Sequence, residues 1–225
     1  MVDLRIVSYN VRALRDDRRA VIRVLRSLDA DVVCLQEAPR FWRWRSRCAA
    51  LAREAGLLYV GGGRRTGATI MLASLRVDVS ATMEYAFSRT PGLHKRGTVA
   101  ARIHRAGASL VVASVHLGLD ADERLRHRSE LVGLVDRFGC EVTVLAGDVN
   151  ERSDKPTWRA LAAEFVDAGE GDETPTFSAR DPRRRIDGVF VRGPASVKAY
   201  RVVDDPDVLV ASDHRPVVVD LSIDG

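Results

Sequence analysis

The chain has 225 residues, of which 46% are hydrophobic and 29% are charged, a composition typical of globular proteins. Lysine and arginine number 35 against 31 aspartates and glutamates, which gives a net charge of +4. No apolar run reaches the roughly 20 residues that cross a bilayer, and the three cysteines form no CxxC pair, so we expect neither a membrane span, nor a disulfide framework, nor a cysteine zinc site.

The predicted elements alternate between short strands and helices. In chain order, apolar runs predict strands over residues 4–9, 32–35, 57–60, 68–73, 99–103, 110–115, 142–146, 186–191 and 217–221. Helical spacing predicts helices over residues 16–28, 47–55, 121–138 and 156–164, the third with Leu125, Leu131, Leu134 and Val135 on one stripe. This order predicts a mixed α/β fold in which two sheets pack together with helices outside.

The arrangement of segments favours one domain over residues 1–225, because no linker, repeat or low-complexity tract divides the chain. The first ten residues lead directly into a strand, without the basic and apolar regions of a signal peptide. We therefore expect a cytoplasmic protein, and nothing in the sequence requires more than a monomer.

Polar side chains follow the apolar runs of several strands. Four runs lead at their C-terminal ends into Asn10, Glu37, His116, and the pair Asp148 and Asn150. Two later strands carry such groups at their beginnings, namely Asp187, Asp213 and His214. If those two strands run antiparallel to the first four, all these side chains meet at one edge and form a polar cleft.

Each of these residues has a milder explanation when it is taken alone. Asn10 fits a turn, Glu37 fits the first turn of a helix, and Asp148 or Asp213 fits a cap. His116 fits a hydrogen-bonded core histidine. Asp187 is harder to explain, because its apolar neighbours predict burial and a buried carboxylate needs a partner such as His214. The coincidence of all of them at one sheet edge favours function.

Six segments carry a resemblance to a known family. They are 8–10 (SYN), 35–37 (LQE), 114–117 (SVHL), 147–150 (GDVN), 185–187 (RID) and 212–214 (SDH), in order along nearly the whole chain. This set resembles the endonuclease/exonuclease/phosphatase superfamily. The resemblance implies a four-layer α/β sandwich, with two mixed β-sheets packed face to face and helices on the outside. It also implies Mg²⁺- or Mn²⁺-dependent hydrolysis of phosphate esters.

The family pattern also implies roles for these residues. Glu37 is the main ligand of the cation, supported by Asn10 and Asp213, since Mg²⁺ prefers oxygen ligands. Asp148 orients or deprotonates the attacking water, and Asn150 donates a hydrogen bond to phosphate. His214 contacts the scissile phosphate and is oriented by Asp187. His116 is either a second phosphate contact or the acid that protonates the leaving oxygen, and the sequence leaves open whether one metal acts or two.

Two positions depart from the family pattern. Many AP endonucleases carry an acid two residues beyond the first asparagine, where this chain has Arg12. This weakens an AP-endonuclease assignment and implies that Glu37 and Asp213 provide more of the coordination of the cation. The residue after the Arg-Ile-Asp segment is often aromatic in the family and is Gly188 here.

The substrate is indicated by basic and aromatic residues. All but three of the basic residues are arginines, which suits phosphate binding but equally reflects a coding bias. Candidate substrate-binding residues are Arg96, Arg184, Trp42 and Trp44. The two tryptophans, interleaved with arginines, fit base stacking, a membrane surface or simple packing on the core. The loop 170–182 precedes the Asp187 strand and is expected to border the cleft.

The leading hypothesis is a nuclease that hydrolyses DNA or RNA phosphodiester bonds, with nucleic acid as its partner. The alternative enzyme is a phosphatase or phosphodiesterase acting on a small phosphorylated metabolite or a phospholipid head group. A catalytically silent binding module on the same fold is a third possibility, which the intact set of carboxylates, amides and histidines disfavours.

Overall fold

A computed structural model describes residues 1–223 of the chain. The strands are β1 Val2–Asn10, β2 Val32–Gln36, β3 Leu58–Gly63, β4 Thr69–Ala73, β5 Asp78–Ala86, β6 Gly97–Arg105, β7 Ala108–His116, β8 Val142–Asp148, β9 Val166–Asp167, β10 Asp187–Arg192, β11 Ala195–Val202 and β12 Val217–Ile223. The helices are α1 Arg18–Ser27, α2 Trp44–Ala55, α3 Ala121–Asp136, α4 Pro156–Ala162 and α5 Pro206–Ala211, with a 3-10 turn at Arg12–Leu14.

The strands form two six-stranded mixed sheets. The first has the order β11-β12-β1-β2-β4-β3, and the second has the order β5-β6-β7-β8-β10-β9. Each sheet has one parallel pair at its centre, β1 with β2 and β7 with β8, joined by the crossover helices α1 and α3. The strands β12 and β10 pair antiparallel with these central pairs, as predicted.

Three apolar cores separate four layers. One core lies between the two sheets, a second joins the first sheet to α1, α2 and α5, and a third joins the second sheet to α3 and α4. Along β1, Leu4 and Ile6 enter the core between the sheets, whereas Val7 and Tyr9 pack under the helices. Because both faces of the strand are buried, its sequence is a continuous apolar run. The predicted four-layer α/β sandwich is confirmed.

The elements missing from the sequence prediction are the edge strands β5, β9 and β11 and the short helix α5. Most residues of β5 are exposed, and β11 alternates between exposed and half-buried positions. Edge strands of this kind carry polar residues on the solvent side, so no apolar run marks them.

Helix boundaries also differ from the prediction for local reasons. Helix α1 begins at Arg18, because the side chain of Asp17 caps it by accepting the backbone N–H groups of Arg19 and Ala20. In α3 the predicted stripe is buried at Leu131, Leu134 and Val135, but Leu125 is exposed, so its place on that stripe was wrong. Within residues 1–223 no helix is both long and apolar enough to cross a membrane, and the three cysteines are free thiols.

Candidate active site

A cavity of about 600 Å³ lies where the central strands of both sheets end. Eight of the predicted site residues line it: Glu37, Arg96, His116, Asp148, Asn150, Arg184, Asp213 and His214. Asn10 and Asp187 are buried behind its wall and contact the lining residues. Trp42 and Trp44 are not among the lining residues. The structure therefore brings together ten of the twelve predicted positions.

The strand register explains this convergence. Asn10 pairs with Gln36 at the ends of β1 and β2, and His116 pairs with Asp148 at the ends of β7 and β8. Across the two sheets, the side-chain amide of Asn10 donates a hydrogen bond to Asp148 over 3.1 Å. Gly147 brings the β8 chain close to β7, since a Cβ at this position would collide with the carbonyl oxygen of Val115.

Asp187 and His214 form a buried pair. The His214 Nδ1 lies 2.9 Å from a carboxylate oxygen of Asp187, and both side chains are less than a tenth exposed. Burial lowers the pKa of His214, but the charge and hydrogen bond of Asp187, followed by the charges of Asp148 and Asp213, together outweigh burial and raise the pKa to about 9. His214 is therefore protonated at neutral pH, and its Nε2–H is free to face the cavity.

Asp148 lies at the centre of the site. Its carboxylate accepts the backbone N–H of Asn150 at 2.8 Å and the amide of Asn10, and it lies 3.8 Å from His214 Nε2. Burial, followed by the charge of Asp187, raises the pKa of Asp148 to about 6. A carboxylate with such a pKa is ionised at neutral pH and is a stronger base than an ordinary aspartate.

His116 has the opposite electrostatic setting from His214. Arg96 Nη1 lies 3.3 Å from His116 Nδ1, and the His116 Nε2 lies 3.5 Å from Asp148. Burial, and then the positive charge of Arg96, lower the pKa of His116 well below its ordinary value. A neutral ring that accepts a hydrogen bond from Arg96 favours a contact role for His116 over the role of proton donor to the leaving group.

Glu37 is the carboxylate best placed to hold a cation. It is half-buried at the cavity wall, 3.5 Å from the Asn10 amide nitrogen, and no basic side chain among residues 1–223 forms an ion pair with it. Asp213 differs, because Arg12 Nε lies 3.3 Å from its carboxylate. Arg12, which stands where the family pattern has an acid, thus partly neutralises the charge of the predicted ligand Asp213. Hard oxygen donors around Glu37 fit a divalent cation such as Mg²⁺.

A second group of metal-ligand type consists of Asp148, Asp187 and His214, whose candidate ligand atoms lie within 4.8 Å of one another. Two of them are already joined by the 2.9 Å hydrogen bond. The raised pKa of His214 keeps a proton on its ring, which a metal would have to displace. We therefore favour Glu37 as the centre of the cation site.

The aromatic residues that reach the cavity are different from those predicted. Phe177, in the loop expected to border the cleft, lies against His214 with ring centroids 4.8 Å apart, and the Arg184 guanidinium lies over the Phe177 ring, 4.8 Å from its centroid. Phe41 also lines the cavity and is 70% exposed. An aromatic residue shortly before the Asp187 strand was the available sequence signal for Phe177.

Trp42 and Trp44 have distinct environments. Trp42 is 81% exposed with Arg43 stacked on it, whereas Trp44 is half-buried, packs on the core under α1 and α2, and covers Gly63.

We expect Trp42→Ala to change the free energy of unfolding by less than about 0.5 kcal/mol and to raise KM roughly tenfold if its ring stacks on substrate. Trp44→Ala should instead cost about 2 kcal/mol, because it removes packed apolar surface. Urea unfolding and steady-state kinetics on both variants check this. Equal stability losses would contradict the assignment.

A variant of Asp187 tests the buried pair. In Asp187→Asn the carboxylate that raises the pKa of His214 is gone while burial remains, so the pKa should fall from about 9 toward or below the ordinary 6.5. Titration of the histidine ring signals by NMR measures this. Asp122→Asn, an exposed position on α3, is the control and should leave the pKa unchanged. A pKa still near 9 in Asp187→Asn would contradict the pairing.

A second cavity of about 510 Å³ lies beside α4 and contains none of the predicted residues. Its buried Arg185 donates two hydrogen bonds to Asp167, at 2.7 and 2.9 Å, and Trp158 donates a third to the same carboxylate. The charges there are satisfied within the protein, so this cluster is structural.

The comparisons with known proteins agree with the fold. The model of the Endonuclease/Exonuclease/phosphatase family matches residues 7–214. A Bacteroides vulgatus endonuclease/exonuclease/phosphatase shares 16% identity with a TM-score of 0.85, and all of both chains is covered. A Bacteroides thetaiotaomicron mannosyl-6-phosphatase shares 19% identity with a TM-score of 0.83, covering 98% of this chain and 100% of the other. D. rerio TDP2, complexed with a single-strand DNA product, shares 18% identity with a TM-score of 0.77, covering 99% and 100%. No curated protein matches the sequence.

Proposed function

The chain belongs to the endonuclease/exonuclease/phosphatase family, a family of phosphoric ester hydrolases, and from that premise we propose that it is a Mg²⁺- or Mn²⁺-dependent nuclease. Its substrate is a DNA or RNA strand, whose phosphodiester bond is hydrolysed by water. The observation that carries the proposal is the buried arrangement of Asp148 beside protonated His214, in a cavity that also contains the unpaired carboxylate of Glu37.

The proposed chemistry follows from the protonation states of the side chains. Asp148, ionised and held by Asn10 and the Asn150 N–H, accepts a proton from the attacking water. The water oxygen bonds to phosphorus as the bond from phosphorus to the leaving oxygen breaks, and the leaving oxygen takes its proton from solvent. His214 donates from Nε2 to a phosphate oxygen, and Asp187 fixes its ring and keeps it charged. Asn150, whose amide now donates to the Leu117 carbonyl, lies at the cavity wall within reach of the same phosphate.

The cation site is formed by Glu37, with Asn10 and Asp213 beside it. A bound Mg²⁺ or Mn²⁺ would supply charge stabilisation of the phosphate oxygens. Arg96 and Arg184 provide further positive charge around the reacting group. Arg96 is buried against His116, and Arg184 is held on the ring of Phe177.

The alternative function is hydrolysis of a small phosphorylated molecule, and the size of the cavity favours it. A volume of about 600 Å³ matches a nucleotide-sized ligand. The names of the similar structures include both a sugar phosphatase and a protein bound to single-strand DNA, so both substrates belong in one test.

A substrate panel separates the two functions. Plasmid, single-stranded DNA and RNA oligonucleotides, an inositol phosphate, a sugar phosphate and a phospholipid are incubated with Mg²⁺ or Mn²⁺, and again with EDTA. We expect cation-dependent cleavage of nucleic acid that EDTA abolishes. Release of phosphate from a small molecule without any cutting of nucleic acid would overturn the nuclease proposal and establish the alternative.

The pH dependence of this reaction has a predictable sign. The base must be ionised, so kcat/KM should rise with pH through about 6 as Asp148 loses its proton. The phosphate contact must be protonated, so kcat/KM should fall as the pH passes about 9 and His214 loses its proton. Steady-state kinetics across acidic to alkaline buffers at constant ionic strength give the profile. A rate that does not change between pH 5 and 7 would contradict the role of Asp148.

A further inference from the structure

The arginines that line the cavity are not held by carboxylates in the part of the chain that the structure describes. Five arginines line the cavity, namely Arg15, Arg40, Arg47, Arg96 and Arg184. Among residues 1–223 none of the five forms an ion pair with a carboxylate. Thirteen other arginines of the chain do form such pairs, many of them at exposed positions. Fourteen further arginines outside the cavity also form no ion pair among residues 1–223, so the five are distinguished by their shared position on the cavity wall, where no carboxylate holds their guanidinium groups.

The balance of charge in the cavity exceeds what one phosphodiester requires. Against the five arginines stand three lining carboxylates, Glu37, Asp148 and Asp213, and the last of these is already shared with Arg12. A phosphodiester brings a single negative charge, and a cation bound at Glu37 adds to the positive excess. A phosphomonoester carries about −1.5 to −2 at neutral pH and restores the balance better.

Part of this positive charge lies on one side of the site. Arg40, Arg47 and His94, which we call the basic wall, line the cavity with Arg96 and His116. Burial lowers the pKa of His116 most, followed by the charges of Arg96, His214, Arg40 and His94. Arg40 and His94 therefore lie near this ring. The carboxylates of Asp187 and Asp213 raise the pKa of His214, whereas Asp148 contacts both rings, 3.5 Å from His116 Nε2 and 3.8 Å from His214 Nε2. The basic wall therefore lies near the His116 ring, in the same cavity as Asp148 and His214.

We propose that Arg40, Arg47 and His94 form a second-anion subsite, which binds a phosphomonoester of the substrate next to the bond that is cut. The inference rests on the proposed phosphoesterase function and narrows its substrate class to phosphate esters that carry another, terminal phosphate. Guanidinium groups suit this role, since their planar donors bind phosphate oxygens in pairs. Phe41, exposed beside Arg40, offers a ring on which the base or sugar between the two phosphates rests.

Kinetics on matched substrates test the subsite. Oligonucleotides with a 5′-phosphate, a 3′-phosphate or only hydroxyl ends are compared, together with adenosine 3′,5′-bisphosphate and AMP. We expect kcat/KM to be roughly 10- to 100-fold higher for the member with the additional phosphate, as one charged hydrogen-bonding pair provides. A preference among the oligonucleotides identifies the end of a strand as the source of the phosphate, and a preference only for the bisphosphate identifies a free metabolite.

Variants assign the preference to residues. In Arg40→Ala/Arg47→Ala, the ratio of kcat/KM with the additional phosphate to kcat/KM without it should fall to about one. The control Arg19→Ala/Arg53→Ala removes the same charge from exposed helix positions outside the cavity and should leave this ratio unchanged. An equal kcat/KM for both members in the unaltered protein, or a preference that survives Arg40→Ala/Arg47→Ala, would overturn the subsite.

Direct binding keeps the subsite separate from catalysis. Calorimetry in EDTA measures the affinity of the unaltered protein for the 5′-phosphorylated and 5′-hydroxyl oligonucleotides and for the bisphosphate and AMP. If no compound is hydrolysed but the additional phosphate still strengthens binding through Arg40 and Arg47, the proposed function fails and the subsite stands. If the compounds are hydrolysed with equal affinities and rates, the subsite fails and the function stands.

Discussion

Replacing Asp148 with asparagine is expected to lower kcat by roughly 10²- to 10⁴-fold, the usual contribution of a general base. Asparagine preserves the size of the side chain and can still accept the N–H of Asn150. It cannot take a proton from water, and it removes the negative charge that faces His214. We therefore expect the loss to fall on kcat, with little change in KM, because the substrate-binding residues remain.

The control for this variant must exclude a loss of folding. Asp148 is buried and has a pKa raised to about 6, so its removal relieves an unfavourable charge and should not lower thermal stability. Circular dichroism and thermal unfolding of Asp148→Asn, beside Asp122→Asn at an exposed site, provide the comparison. Retention of more than a tenth of kcat in the folded variant would remove Asp148 from the role of base.

The catalytic edge could be predicted from the sequence because it depends on regular structure. Buried strands are continuous apolar runs, and the residue that follows a run must lie at the end of its strand. Asn10 and Asp148 illustrate this, since they come from different sheets and meet at 3.1 Å. The direction of β10 and β12 was the one added assumption, and the strand pairing confirms it.

The features that could not be predicted depend on contacts between distant side chains. The pairing of Arg12 with Asp213 joins residues 201 positions apart in the sequence, and no local pattern marks it. The same holds for the different environments of Trp42 and Trp44, because the Trp44 ring packs against the distant Gly63 whereas Trp42 remains exposed. The pattern of apolar runs did not predict the edge strands β5 and β11, because their residues are mostly exposed or half-buried.

Among the lining carboxylates, we expect replacement of Glu37 to cause the largest loss of cation binding. Glu37→Gln keeps the shape of the side chain but removes the one lining carboxylate that forms no ion pair with a histidine or an arginine among residues 1–223. We expect activity to fall by roughly 10³-fold, since a bound cation contributes several kcal/mol to transition-state stabilisation. Isothermal titration with Mn²⁺ should show a matching loss of affinity in the absence of substrate, which separates the cation site from catalysis.

Asp213 provides the informative comparison for this variant. Its carboxylate is 3.3 Å from Arg12 and already shares its charge, so Asp213→Asn should weaken Mn²⁺ binding less than Glu37→Gln does. Removal of the arginine in Arg12→Ala should strengthen binding, because a positive charge leaves the neighbourhood of both carboxylates. If Asp213→Asn abolishes Mn²⁺ binding while Glu37→Gln retains it, the cation lies on the Asp213 side and Arg12 must move away when the cation binds.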